Sequence, residues 1–279
     1  MTKTEFVFVS ETELIDTHCH LSDKIFDADR AEVIANAAEA RVAKIVDAGT
    51  DIGSSRKILA YYPDYKDHIL PAIGIHPEIL IPGSDLYKPE VGELEIPQML
   101  EEIDQLLSVH PEIFMIGECG LDYYWLEKNV KDPEQQENIK ILQNMLLRGH
   151  LQLAEKYQKP VTVHCRNAFN DTTALFREFF GKVRGVMHSF TYGLEEAEKV
   201  WELGWMIGIN GIVTYPSASN LRDFILNKLK VAQISTPSEL YKAGIVLETD
   251  APYLSPEPER AKRNEPEAVK RLFGYLAHN

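Results

Sequence analysis

A chain of 279 residues with 44% hydrophobic and 26% charged side chains has the make-up of a folded soluble protein, which excludes a disordered or fibrous one. Lys and Arg number 29 against 43 Asp and Glu, a formal charge of −14, so the bulk field repels polyanions and membrane surfaces, and any phosphate chemistry needs positive charge assembled locally. No run approaches the ~18 apolar residues of a membrane span, and the acidic start at 2–13 lacks the layout of a signal peptide. Three cysteines, Cys19, Cys119 and Cys165, are too few for a disulfide framework, and a cytoplasmic location is expected.

In chain order, short apolar runs alternate with amphipathic stretches. Strands are predicted at 14–20, 43–49, 69–76, 113–118, 160–165, 183–190, 205–211 and 244–250. The helical patterns that follow them lie at 28–41, 52–61, 97–109, 133–157, 171–180, 194–203, 217–229 and 265–277. Eight such units in a chain near the ~250 residues usual for the fold predict one closed (β/α)8 TIM barrel, a single domain over 1–279. It carries an N-terminal extension at 1–12 and an insertion near 82–97 that either borders the substrate or is a solvated excursion. An open doubly wound sheet would need a glycine-rich turn after the first strand, where Thr17-His18-Cys19-His20 stands instead.

Five of the nine histidines, His18, His20, His76, His164 and His188, fall at or near the C-terminal ends of predicted strands, where this fold builds its active sites. Glu118 ends the fourth strand and Asp250 the eighth. Four histidines and two acids can therefore face one cavity. In a strand, residues two apart share a face, so His18 and His20 point together while Cys19 turns toward the helices. By the same alternation Cys119 and Cys165 are packing residues. A hydrogen-bonded polar plug would gather the same groups, but burying them unpartnered is costly, and a metal ion removes that cost.

Ile15-Asp16-Thr17-His18-Cys19-His20-Leu21, Gly117-Glu118-Cys119-Gly120-Leu121-Asp122-Tyr123, Val163-His164-Cys165-Arg166, His188-Ser189-Phe190 and Glu248-Thr249-Asp250-Ala251-Pro252 together resemble the successive motifs of the TatD family of metal-dependent deoxyribonucleases. Gly74-Ile75-His76-Pro77 and Lys262-Arg263-Asn264-Glu265-Pro266 fit as well. The resemblance implies an amidohydrolase-type barrel binding one or two divalent ions through His18, His20, Glu118, His164, His188 and Asp250, with Glu118 placed to bridge. It also implies contacts from His76, Arg166 and Arg263 to substrate phosphate. Arg263 could instead close the barrel by a salt bridge, and Arg166 could orient the carboxylates. Ala261 and Asn167 stand where the family commonly has glycine and aspartate, and the chain ends soon after the Asn-Glu-Pro element, so a short final helical cover is expected.

Magnesium accompanies the family's nuclease activity, whereas nitrogen-rich ligation suits zinc, manganese or nickel. The reaction expected is hydrolysis by a metal-activated water, with Asp250 and Glu118 as the catalytic carboxylates and Asp250 taking the proton. The substrate expected is DNA, held locally at the metal site and cleaved as a 3′–5′ exonuclease or with a single-strand preference. The alternative is hydrolysis of an ester or amide, such as D-aminoacyl-tRNA deacylation. A non-enzymatic binding protein on a degenerate barrel is a third reading, which the intact ligand set opposes. Tyr123-Tyr124-Trp125 would lie on the rim, packing a long loop or stacking on a base. No membrane partner is expected, and no protein partner is legible.

Overall fold

Runs rich in Val, Ile and Leu become eight parallel strands in the computed structural model, which describes residues 13–278: β1 (Leu14–Cys19), β2 (Val42–Ala48), β3 (Ile69–Ile73), β4 (Met115–Asp122), β5 (Val161–Arg166), β6 (Gly185–Met187), β7 (Met206–Ile209) and β8 (Ile245–Leu247). They pair in sequence order in one sheet, each with the next. The seam between β8 and β1 is closed by backbone bonds from Asp250 N–H to His18 O and from His20 N–H to Ala251 O, and below them by Thr17 Oγ1 on Leu247 O. The result is a nearly closed TIM-like barrel, as the eightfold alternation predicted. The proposed extension at 1–12 lies outside the described residues.

The helices are α1 (Arg30–Glu39), α2 (Ile52–Tyr65), α3 (Glu95–Val109), α4 (Tyr123–Asn129), α5 (Pro133–Tyr157), α6 (Phe169–Glu178), α7 (Leu194–Glu202), α8 (Ser219–Val231), α9 (Pro237–Lys242) and α10 (Ala268–His278). None is long and apolar enough to cross a membrane. Their starts follow ordinary capping chemistry. Asp51 accepts from Ser54 N–H ahead of α2, Asp132 precedes Pro133 at the head of α5, and Thr236 with Glu239 forms a capping box on α9. Helix α10 buries Ala268, Val269, Leu272 and Leu276 and packs on β1 and β8.

Core residues divide by strand face. Val46, Ala48, Ala72, Met115, Val186 and Val246 fill the lower barrel interior, while Ile45, Ile73, Ile116, Val163 and Ile207 pack outward with the helices. Several expected strands are longer than the ladders observed: 69–76 ends at Ile73, 183–190 shrinks to Gly185–Met187, and 244–250 ends at Leu247. Beyond those points the chain still bonds its neighbours singly, His76 N–H to Thr50 O and Phe190 N–H to Gly208 O, as it curls over the mouth. The fourth strand instead runs on to Asp122. Helix α3 begins at Glu95, two residues before the expected start at 97, where the Glu95 carboxylate accepts from Gly92 N–H.

Candidate metal centre

Alternation along β1 turns Asp16, His18 and His20 inward, and the same parity sends Thr162, His164 and Arg166 of β5 to the mouth. Glu118 does not follow simple alternation. Met115 already faces the interior, so period two would point residue 118 outward, but the ladder to β5 shifts register between Ile116 and Cys119. Gly117 makes this possible: its φ is 126°, and a Cβ there would lie 2.4 Å from Thr162 O. Glu118 thus comes to the centre of the mouth, with Cys119 behind it in the outer core, buried like Cys19 and Cys165.

The two oxygens of Glu118 face two different donor sets. Oε2 lies 3.3 Å from both His18 Nε2 and His20 Nε2, and Asp250 Oδ1 is 3.3 Å from His20 Nε2. Oε1 lies 3.1 Å from His164 Nδ1, 3.2 Å from His188 Nε2 and 3.3 Å from His76 Nε2. Donors bonded to one ion at about 2.0–2.2 Å sit roughly 3.0–3.5 Å from one another, so these separations suit metal binding on either side of Glu118. Groups of His18, His20 and Glu118, of His18, His188 and Asp250, and of His76, Glu118 and His164 each could hold an ion.

The far nitrogen of each ring sorts the histidines further. His20 Nδ1–H donates to Ala48 O at 2.8 Å, leaving Nε2 as a lone pair on the centre. His164 is reversed: Nε2–H donates to Asp122 at 2.9 Å and Nδ1 faces inward. His18 Nδ1 bonds Thr162 Oγ1 at 2.8 Å, and His188 Nδ1 lies 3.3 Å from Glu248 Oε1, close but not aligned for a hydrogen bond. His76 differs, because its Nδ1 accepts the backbone N–H of Glu78 at 3.3 Å. The proton of a neutral His76 ring therefore sits on Nε2, which makes that atom a hydrogen-bond donor toward the cavity instead of a metal ligand.

Burial raises the Glu118 carboxyl, yet His76, His188, His18 and His164 around it outweigh that and hold it well below the ordinary range. Burial alone would lower His20 and His164, but the hydrogen bond to Asp250 and the charge of Glu118 bring His20 to about 9, and Asp122 with Glu118 brings His164 to about 9. Asp250 is pushed up by burial and pulled below its usual value by His20, His188 and His18.

Of the residues expected to touch phosphate, Arg166 is exposed at the mouth, with its guanidinium 4.1 Å over the Tyr124 ring. Arg263 is spent elsewhere. It bonds Asp29 at 2.7 and 3.1 Å, Glu265 at 2.7 Å and Ile25 O at 3.1 Å, fastening the segment after β8 to the start of α1. Asp16, Thr162, Glu248 and Asp122 escaped the sequence reading. Asp16 bonds the backbone N–H groups of His18 and Thr249, and Glu248 accepts from Ser189 N–H at 2.6 Å. Three of the four precede a proposed ligand by two residues, so strand parity could have revealed them.

A family model described as TatD related DNase matches residues 15–279. The chain is 31% identical over 263 residues to the metal-dependent hydrolase YjjV of Escherichia coli K12, covering 94% of this chain and 88% of the relative. It is 30% identical over 274 residues to a 3′-5′ ssDNA/RNA exonuclease TatD of Citrobacter rodentium, covering 95% and 89%. The crystal structure of the Escherichia coli YjjV protein, a TatD homologue, superposes with a TM-score of 0.75 at 29% identity, over 94% of this chain and 88% of that one.

Proposed function

The chain belongs to the TatD-related DNase family of metal-dependent hydrolases, and from that premise we propose that it cleaves single-stranded DNA at phosphodiester bonds, working inward from the 3′ end. The observation that carries this reading is Glu118, whose two oxygens each face a separate histidine-rich donor set. In this reading His18, His20, His164, His188, Glu118 and Asp250 would hold one or two divalent ions, with Glu118 between the two donor sets. Two divalent ions against two carboxylates leave a net positive charge of about two, the local surplus an acidic chain needs to hold a phosphodiester. Divalent ions held there would supply Lewis-acid polarisation of a phosphoryl oxygen and acidify an attacking water.

The side chains supply the rest. Asp250, with 14% of its side chain exposed against 3% for Glu118, is the carboxylate of the centre that solvent reaches, and its Oδ1 takes the proton of the attacking water. His76 donates its Nε2–H to a non-bridging phosphoryl oxygen, and Arg166 meets the adjoining phosphate. Burial, with the negative charges of Asp23, Asp250, Asp85 and Glu78, holds the Tyr253 hydroxyl up at about 12.

Four imidazole donors favour zinc, manganese or nickel over magnesium, and Mn2+ is expected to support turnover at lower concentration than Mg2+. The test is metal-reconstituted protein on 5′-labelled single strands, duplex, RNA and a p-nitrophenyl ester. A ladder shortening from the 3′ end of the single strand is the expected result. Ester turnover with no strand cleaved would overturn the nuclease reading.

A further inference from the structure

On the β4–β5 side of the mouth, cationic side chains lie on aromatic rings with no acid to neutralise them. The Arg166 guanidinium sits 4.1 Å from the Tyr124 ring centroid and 5.5 Å from that of Trp125, and Lys128 Nζ sits 4.0 Å over Trp125. Among the described residues neither Arg166 nor Lys128 pairs with a carboxylate, in contrast to Arg263, whose guanidinium is held by Asp29 and Glu265. A guanidinium over a ring still has N–H groups to offer a phosphate, and the exposed ring offers a face to a base. Tyr124 is exposed, whereas Trp125 is half-buried against the core and supports the layer from beneath.

This platform is fastened to the metal centre. Asp122 accepts from His164 Nε2–H at 2.9 Å and, as the N-cap of α4, from the Trp125 backbone N–H at 2.7 Å. The backbones of Asp122 and Arg166 are register partners in the β4–β5 ladder. One carboxylate thus fixes a proposed metal ligand and the helix that carries both Tyr124 and Lys128. A strand with its scissile phosphate at Glu118 meets cations and rings on this side of the mouth.

We propose that Arg166, Tyr124 and Lys128 form the subsite for the nucleotide adjoining the scissile bond, its base stacked on the Tyr124–Arg166 layer and its phosphate held by Arg166 and Lys128. The assignment rests on the reading of the centre as a single-strand nuclease. Stacking of one base on an aromatic contributes roughly a tenfold effect or more.

The experiment compares wild type, Tyr124→Ala, Lys128→Ala and the ring-retaining Tyr124→Trp, all matched for thermal stability. Rates are measured on oligo-dT, on oligo-dT abasic at the adjoining nucleotide, and on bis(p-nitrophenyl) phosphate, which has neither base nor second phosphate. The subsite predicts that Tyr124→Ala lowers the ratio of oligo-dT to small-diester kcat/KM about tenfold. Tyr124→Trp restores that ratio, and the abasic strand brings wild type down to the alanine variant. A strand cleaved equally well by all four proteins overturns the subsite alone. Wild type that hydrolyses the small diester and no strand ends the nuclease reading, and the subsite with it.

Discussion

Glu118 has five imidazole nitrogens within 3.3 Å and no backbone donor among the contacts of its side chain, so its charge is available to ions. Replacing Glu118 with Gln is expected to remove both divalent ions, whereas Asp250→Asn removes one and lowers turnover at least about a hundredfold, the usual worth of a general base. Elemental analysis beside circular dichroism checks both. Two ions retained in the Glu118 variant would refute the bridging role. Arg166 and Arg263 looked alike in sequence because both are arginines near barrel-end motifs. Their partners separate them: Arg263→Ala is expected to lower Tm with KM unchanged, since its guanidinium is occupied by Asp29 and Glu265. A raised KM without loss of Tm would return Arg263 to the substrate.

Elements matter through what they hold at their ends. Helix α5 carries His150, fully buried, whose Nδ1–H donates to Leu146 O at 2.8 Å while Nε2 accepts the Ile75 N–H at 3.2 Å, one residue before His76. Burial pushes this imidazole down to about 4. The unfolded chain protonates it near its ordinary value of about 6.5, so its stabilisation is complete above that pH and is lost as pH falls toward 4. The loss amounts to roughly 3 kcal/mol at most. Urea denaturation of wild type and His150→Gln across that window should show a slope shallower by about one proton in the variant, and equal slopes would show that His150 does not titrate as argued. On β7, a Cβ at Gly208 would lie 2.1 Å from Glu248 Oε2, so Gly208→Ala is expected to displace Glu248 from His188 and weaken metal retention during dialysis against chelator. Unchanged retention would show that Glu248 does not orient His188. Helices α4 and α9 were missed because seven and six residues show little periodicity. Their caps, Asp122 and the Thr236–Glu239 box, were the signals present.

Over the whole molecule, a charge of −14 leaves a polyanion attracted to the mouth alone. If contacts are limited to the metal centre, Arg166 and Lys128, three neutralised phosphates give a slope near −2 in log affinity against log salt, at roughly −0.7 per contact for a single strand. Anisotropy titrations of oligo-dT on the Asp250→Asn variant across a salt series measure it. A slope several units steeper would mean a basic track beyond the mouth, and end recognition would be lost.

Sequence by itself determined the eightfold alternation, hence the barrel, and put the right chemical types at the ends of the right strands, because periodicity of two and 3.6 is a local property of the backbone. It also turned Cys19 and Cys165 away from the mouth. Only the tertiary structure decided which way Glu118 faces, since a register shift against β5 overrides alternation there. It likewise decided that His76 is a donor and that Arg263 is occupied, and it supplied Asp16, Thr162, Asp122 and Glu248 behind the proposed ligands. Apart from His76, whose Nδ1 meets Glu78 N–H two residues on, those outcomes depend on partners tens to hundreds of residues away, such as Thr162 for His18 and Thr249 for Asp16. Local patterning assigns a side chain to a face of its strand, and closure of the barrel assigns the atom it meets there.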